Sequence, residues 1–131
     1  MIVVDTSAVL DALSARPPNL NLIDRIGGDG DLHAPHLIDV ELLHALRRLV
    51  RLSEISDRRA TEVRLDYAEL AITRYPHHPL ADRMWELRHN LTAYDAAFVA
   101  LSEALGVPLV TTDSALGGAS GHRARVEVIH P

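Results

Sequence analysis

No cysteine occurs in the 131 residues, which removes disulfide scaffolds, thiolate zinc sites and cysteine nucleophiles together and suits a reducing compartment. Lysine is absent as well. All thirteen basic residues are arginine, so chemistry that depends on a phosphate-loop lysine, a Schiff base or a lysine general base is excluded. Aromatic residues are scarce: Trp85, Phe98, Tyr67, Tyr75 and Tyr94 are the whole set, too few for the stacking surfaces on which RRM and OB modules hold unstacked bases. No apolar run reaches the roughly 18 residues that would span a bilayer, and Met1 to Asp5 lacks the basic stretch that opens a secretory signal. A cytoplasmic protein with no membrane contact is the expectation.

What is present is ordinary globular composition, 47% hydrophobic and 24% charged. The length fits one domain, expected to run over 1–131, with a core large enough to hold the fold unaided. The net charge of −5 argues against indiscriminate binding to nucleic acid, but it is unevenly placed. Arg47 to Arg64 contains six arginines against Glu54, Asp57 and Glu62, a local +3 on an otherwise acidic chain.

Periodicity predicts alternating strands and helices. Ile2-Val3-Val4 reads as a buried strand that feeds through Asp5-Thr6-Ser7 into a helix stopped by Pro17-Pro18. A short helix follows from Asn19 to Ile26, ending at Gly27-Gly28, then a strand at Leu32-His33-Ala34. From His36 to Leu52 a helix places Ile38, Leu42, Ala45, Leu46, Leu49 and Val50 on one face and His44, Arg47, Arg48 and Arg51 on the other. Further helices are predicted from Ser56 to about Ala71, from Leu80 to Leu91, and from Thr92 to Leu105 with Gly106 closing the last. Strands are expected at Ile72 to Tyr75, Pro108 to Thr112 and Val126 to Ile129, with a loop over Gly117 to Gly121. The pattern implies an α/β sandwich on a mainly parallel sheet with right-handed crossovers.

In such a sheet the strands bring their carboxyl ends to one rim, where ligands of open α/β folds bind. Asp5 ends the first strand, Glu41 lies in the early turns of the His36 helix, Asp95 opens a later helix, and Asp113 ends the fourth strand. Each alone reads as a helix cap or first-turn acid, Asp95 as the third helical position of a Thr-x-x-Asp capping box. Four at one rim are a different matter, because two carboxylates about 5 Å apart repel by roughly 3 kcal/mol at an effective dielectric near 20. A cluster of that kind protonates or holds a cation, and oxygen ligands without thiolates suit Mg²⁺ or Mn²⁺. Asp39 points about 200° away from Glu41 on the helix and reads as a first-turn acid, and Asp11 as a solvated or helix-pairing one. The eight histidines show no His-x-x-x-His spacing and read as surface or loop residues.

Ile2-Val3-Val4-Asp5-Thr6-Ser7-Ala8, the Glu41 helix, Leu91-Thr92-Ala93-Tyr94-Asp95-Ala96-Ala97 and Leu109-Val110-Thr111-Thr112-Asp113 resemble, in order and spacing, the PIN-domain family, and within it the VapC-type toxins of toxin-antitoxin pairs. The resemblance spans essentially the whole chain. It implies a single PIN-like domain on a five-stranded parallel sheet and a metal-dependent ribonuclease, usually a homodimer, inhibited by the C-terminal segment of a cognate antitoxin that fills the active-site groove. Asp5, Glu41, Asp95 and Asp113 would be its acidic quartet, with Thr6 or Ser7 and Thr112 as accessory hydroxyls. Arg47, Arg48 and Arg51 are candidates for phosphate contacts with RNA, or equally for an antitoxin-binding surface or a solvated face.

Three other classes compete. A haloacid-dehalogenase-like phosphohydrolase also places an Asp after its first strand, but it needs a second Asp where this chain has Ser7, and a lysine. A receiver-type signalling domain needs a lysine too. A non-catalytic binding module would use the acids purely as caps.

Overall fold

In the computed structural model, which describes Met1–Pro131, five strands form one parallel sheet in the order β3-β2-β1-β4-β5. The strands are β1 (Ile2–Val4), β2 (Leu32–Pro35), β3 (Ile72–Tyr75), β4 (Leu109–Thr111) and β5 (Val126–Val128). The helices are α1 (Thr6–Ser14), α2 (Leu20–Asp29), α3 (Leu37–Arg51), α4 (Asp57–Glu69), α5 (Ala81–Glu86), α6 (Ala93–Leu105) and α7 (Ser114–Gly118).

The sheet interior follows from its residues. β1, β2 and β4 are buried at every position, as expected for parallel strands covered on both faces, so their sequences read as continuous apolar runs. α6 packs against β1, β2 and β4, and its stretch from Ala96 to Ser102 is buried without interruption. Its small residues allow close approach to the sheet. α3 shows the opposite pattern: Ile38, Leu42 and Leu46 are buried while Arg47, Arg48 and Arg51 face outward, the two-faced helix that its periodicity predicts.

Several boundaries differ from the sequence reading. α2 runs through Gly27-Gly28 to Asp29, because the residue that takes the left-handed cap is Gly30, at φ 68°. The Leu80–Leu91 segment is a single 3₁₀ turn at His78–Leu80 followed by the short α5 and then irregular turns, since it has only a partial apolar stripe to bury. The expected Gly117–Gly121 loop begins inside α7, which Asp113 starts. The histidines are not all peripheral. His33 sits in β2 at 5% exposure between the Tyr75 hydroxyl (2.7 Å) and Asp31 (2.8 Å), and His77 Nε2 accepts the Leu37 N–H (2.9 Å) at the start of α3. A backbone donor at a helix start needs an acceptor, and His36 supplies none from its side chain.

Strand order fixes where a site can lie. After β1 the chain crosses to β2 on one side, and β4 returns on the other, so the order reverses between β1 and β4 and opens a crevice at their carboxyl ends. Val3 pairs with Leu109 and Val4 with Val110, which sets Asp5 beside Thr111.

Candidate active site

A groove of about 760 Å³ opens at this crevice and is lined by Asp5, Glu41, Asp95 and Asp113, four acids from four different elements. α1 adds Thr6, Ser7 and Leu10, α3 adds Leu37, Val40, His44, Ala45 and Arg48, and α6 adds Tyr94 and Phe98. All four acids singled out in the sequence line this one groove.

Each acid has its own setting. Asp5 is 7% exposed and caps α1, its Oδ1 accepting from Ala8 N–H (2.9 Å) and Ser7 Oγ (2.7 Å), its Oδ2 from Thr111 Oγ1 (2.5 Å). Burial pushes its pKa up more strongly than these hydrogen bonds pull it down, and the charge of Asp95 adds to the rise. Glu41 accepts from Thr6 Oγ1 at 2.7 Å, and its pKa too is raised, by burial first and by Asp95, against the lowering effect of the Thr6 bond. The Asp95 N–H bonds to Thr92 Oγ1 (3.2 Å), but nothing in the chain donates to its carboxylate, so the capping box is made on one side only. Burial and the neighbouring Asp113 raise its pKa. Asp113 is exposed and caps α7 through Ala115 N–H (2.9 Å).

The four are gathered more loosely than the sequence reading expects. No group of three His, Asp or Glu side chains stands close enough to ring a metal ion as placed. Three of the four already have partners in the chain: Asp5 in Ser7 and Thr111, Glu41 in Thr6, and Asp113 in the backbone of its helix cap. The donor set nevertheless has the chemistry a hard divalent ion requires. All the acidic ligands are oxygens, three of the four carboxylates have raised pKa values, and Asp95 is half-buried with no partner in the protein.

The accessory hydroxyls divide. Thr6 and Ser7 lie in the groove and bond to Glu41 and Asp5. Thr112 contributes only its backbone N–H, to Ser7 Oγ (3.2 Å), while the side chain in the site is that of Thr111. Thr111 is fully buried, donates to Asp5 Oδ2 and accepts the Asp113 N–H (3.0 Å), tying two of the acids together. The signal that could have found it is strand register, since alternate residues of β4 face alternate sides and Thr111 is the one level with Asp5.

Arg48 lines the groove itself, and with His44 it also lines an adjoining depression that includes Arg47, Arg51 and Leu52. None of the three arginines enters an ion pair, whereas Arg58 and Arg59 are paired with Glu62. Asp39, directed away from the groove, holds the Arg74 guanidinium at 2.8 Å and the Tyr67 hydroxyl at 2.6 Å, and this pairing keeps its carboxyl below the usual range.

The crevice and its acids define an α/β domain with an acid-lined groove at the switch point of a parallel sheet. The PIN domain model matches residues 2–119. Ribonuclease VapC1 of Mycobacterium tuberculosis is 42% identical over 97% of this chain and 96% of its own length. Ribonuclease VapC12 of the same organism is 37% identical over 98% and 99%. The solved structure of VapBC2 from Rickettsia felis, bound to a DNA fragment from its promoter, superposes with a TM-score of 0.69 at 14% identity over 97% of this chain and 98% of that one, a likeness of fold. The chain belongs to the PIN-domain family and, within it, to the VapC ribonuclease toxins.

Proposed function

We propose that the protein is a metal-dependent endoribonuclease that hydrolyses RNA phosphodiester bonds, acts in the cytoplasm as a homodimer and is neutralised by a cognate antitoxin. The observation that carries this reading is the convergence of Asp5, Glu41, Asp95 and Asp113 from four elements on one groove, with the Asp95 carboxylate left unpartnered. Residues 1–131 are taken to act together as one PIN unit.

The quartet would hold Mg²⁺ or Mn²⁺, and such an ion, when bound, supplies Lewis acidity to an attacking water and neutralises charge on the phosphodiester and its leaving oxygen. The chain's own residues do the rest. Thr6 keeps the Glu41 carboxylate turned toward the groove, and Ser7 and Thr111 fix Asp5 in one orientation against the sheet. No side-chain nucleophile is needed, in keeping with a chain without cysteine or lysine.

An acid-lined groove repels RNA, so affinity has to come from cations beside it. Arg48 at the groove, continuing into Arg47 and Arg51, gives the phosphate backbone a path along α3. The groove also has apolar lining, which suits the inhibitory segment of an antitoxin. The haloacid-dehalogenase alternative lacks its second acid, since Ser7 stands at that position and donates to Asp5.

Incubating total RNA with the purified protein, with and without chelator, and mapping the new 5′ ends tests the reading. Wild-type protein should cut at defined positions only with the divalent ion present, and Asp5→Asn and Asp113→Asn should not cut. Cutting that survives both substitutions or the chelator overturns the proposal.

A further inference from the structure

Two exposed apolar side chains flank the acids in the same groove. Val40 precedes Glu41 on α3 and is 67% exposed, and Tyr94 precedes Asp95 on α6 and is 59% exposed. Tyr94 stands one helical turn from Phe98, which is buried and also lines the groove. The other aromatics are engaged elsewhere. Tyr67 donates to Asp39, Tyr75 bonds to His33, and the exposed Trp85 carries the Arg88 guanidinium over its ring at 4.4 Å. Tyr94 alone combines exposure, a hydroxyl with no partner in the chain and a place in the groove.

We propose that Tyr94 is a stacking platform for a nucleobase adjoining the phosphodiester that the groove receives, with Val40 supplying apolar surface beside it. The inference rests on the ribonuclease reading and deepens it by assigning a base-binding subsite. A single-stranded nucleotide presents an anionic phosphate next to a flat apolar face, and the groove offers the complement: the acid quartet and Arg48 in its lining, with an exposed aromatic ring next in sequence to Asp95. Stacking on an aromatic ring tolerates any base, because every base has a π-face. Tyr94 therefore contributes affinity and selects for unpaired RNA, since a base held in a duplex has no free face to offer.

The test is binding of short fluorescein-labelled single-stranded RNA of mixed sequence, in chelator so that nothing is cut, compared with an abasic ribose-phosphate chain of the same length. Tyr94→Ala should weaken binding of the intact RNA roughly tenfold, and Tyr94→Phe, which keeps the ring, should retain the affinity. On the abasic chain wild type and Tyr94→Ala should bind alike. Equal binding of intact RNA by wild type and Tyr94→Ala overturns the inference, as does an equal loss on the abasic chain. Parallel incubation of wild type with RNA and Mn²⁺ separates the two levels. No cutting by wild type means the ribonuclease reading has failed, whereas cutting with no defect in Tyr94→Ala means that only the stacking subsite has.

Discussion

The Thr6 hydroxyl donates to Glu41 Oε1 across 2.7 Å and joins the first turn of α1 to the second turn of α3, two segments 35 residues apart. Glu41 is the one quartet member carried on a helix flank rather than at a strand end or helix start, so its aim depends on that bond more than on backbone position. A hydrogen bond to a charged group contributes about 1.5–3 kcal/mol. Thr6→Val keeps the shape and deletes the donor, leaving Glu41 free to swing and raising its pKa further, because the bond now lowers it. RNA cleavage should fall by roughly 10- to 100-fold in Thr6→Val and much less in Thr6→Ser. Equal rates in Thr6→Val and wild type would show that the orientation of Glu41 does not matter.

A divalent ion that binds the folded state alone must stabilise it, by about 2.7 kcal/mol at a hundred times its dissociation constant. Mn²⁺ should therefore raise the melting temperature of wild-type protein by several degrees. Asp95→Asn should already melt at or above the wild-type temperature without metal, because it removes a half-buried charge with no hydrogen-bond partner, and it should gain little from Mn²⁺. Calorimetric scans of both proteins with Mn²⁺ and with chelator check this. A wild-type melting temperature indifferent to Mn²⁺ would remove the metal from the mechanism.

The raised pKa values of Asp5, Glu41 and Asp95 fix the direction of two pH effects. A carboxyl that binds its proton more tightly folded than unfolded favours the fold at low pH, and this contribution is lost as pH rises from the unfolded value, near 3.8 for Asp and 4.5 for Glu, through the higher folded value. Metal-free stability should therefore decline over that window in wild type, and the part due to Asp95 should vanish in Asp95→Asn. Activity runs the other way. Protons compete with the ion for the same oxygens, so the acid limb of the cleavage profile should lie above the ordinary carboxylate range and move to lower pH as Mn²⁺ concentration increases. Rate measurements across pH at two Mn²⁺ concentrations would expose a fixed limb, the result that contradicts metal-proton competition.

Much of this site is legible in the sequence because strand ends and helix starts are local signals. Asp5, Asp95 and Asp113 each follow a strand or open a helix, and strand order then carries them to one crevice. The role of Thr111 in place of Thr112 depends on the register between β1 and β4, a long-range relation that no local pattern contains. The same holds for His77, which caps α3 from 40 residues away, and for the contact of Arg74 with Asp39, which makes a first-turn acid also half of an ion pair. The looser spacing of the acids also escapes the sequence. Coulomb repulsion between bare carboxylates can be written down from the sequence, but the bonds from Thr6, Ser7 and Thr111 that hold two of them in place emerge only when distant elements pack.

Arg47, Arg48 and Arg51 lie on the exposed face of α3 without ion-pair partners, unlike Arg58 and Arg59 in the same basic segment, which are paired with Glu62. Glu62 offsets part of the charge of the second group, whereas no carboxylate offsets that of the first. Each phosphate neutralised on single-stranded RNA adds about 0.7 to the steepness with which log affinity falls against log salt. Replacing all three with Ala should flatten that dependence by roughly 2, while Arg58→Ala with Arg59→Ala should leave it nearly unchanged. Binding of a single-stranded RNA measured in chelator over a series of salt concentrations gives both slopes. If the triple variant keeps the wild-type slope, the backbone does not run along α3, and the unpaired arginines must face another anionic partner or solvent.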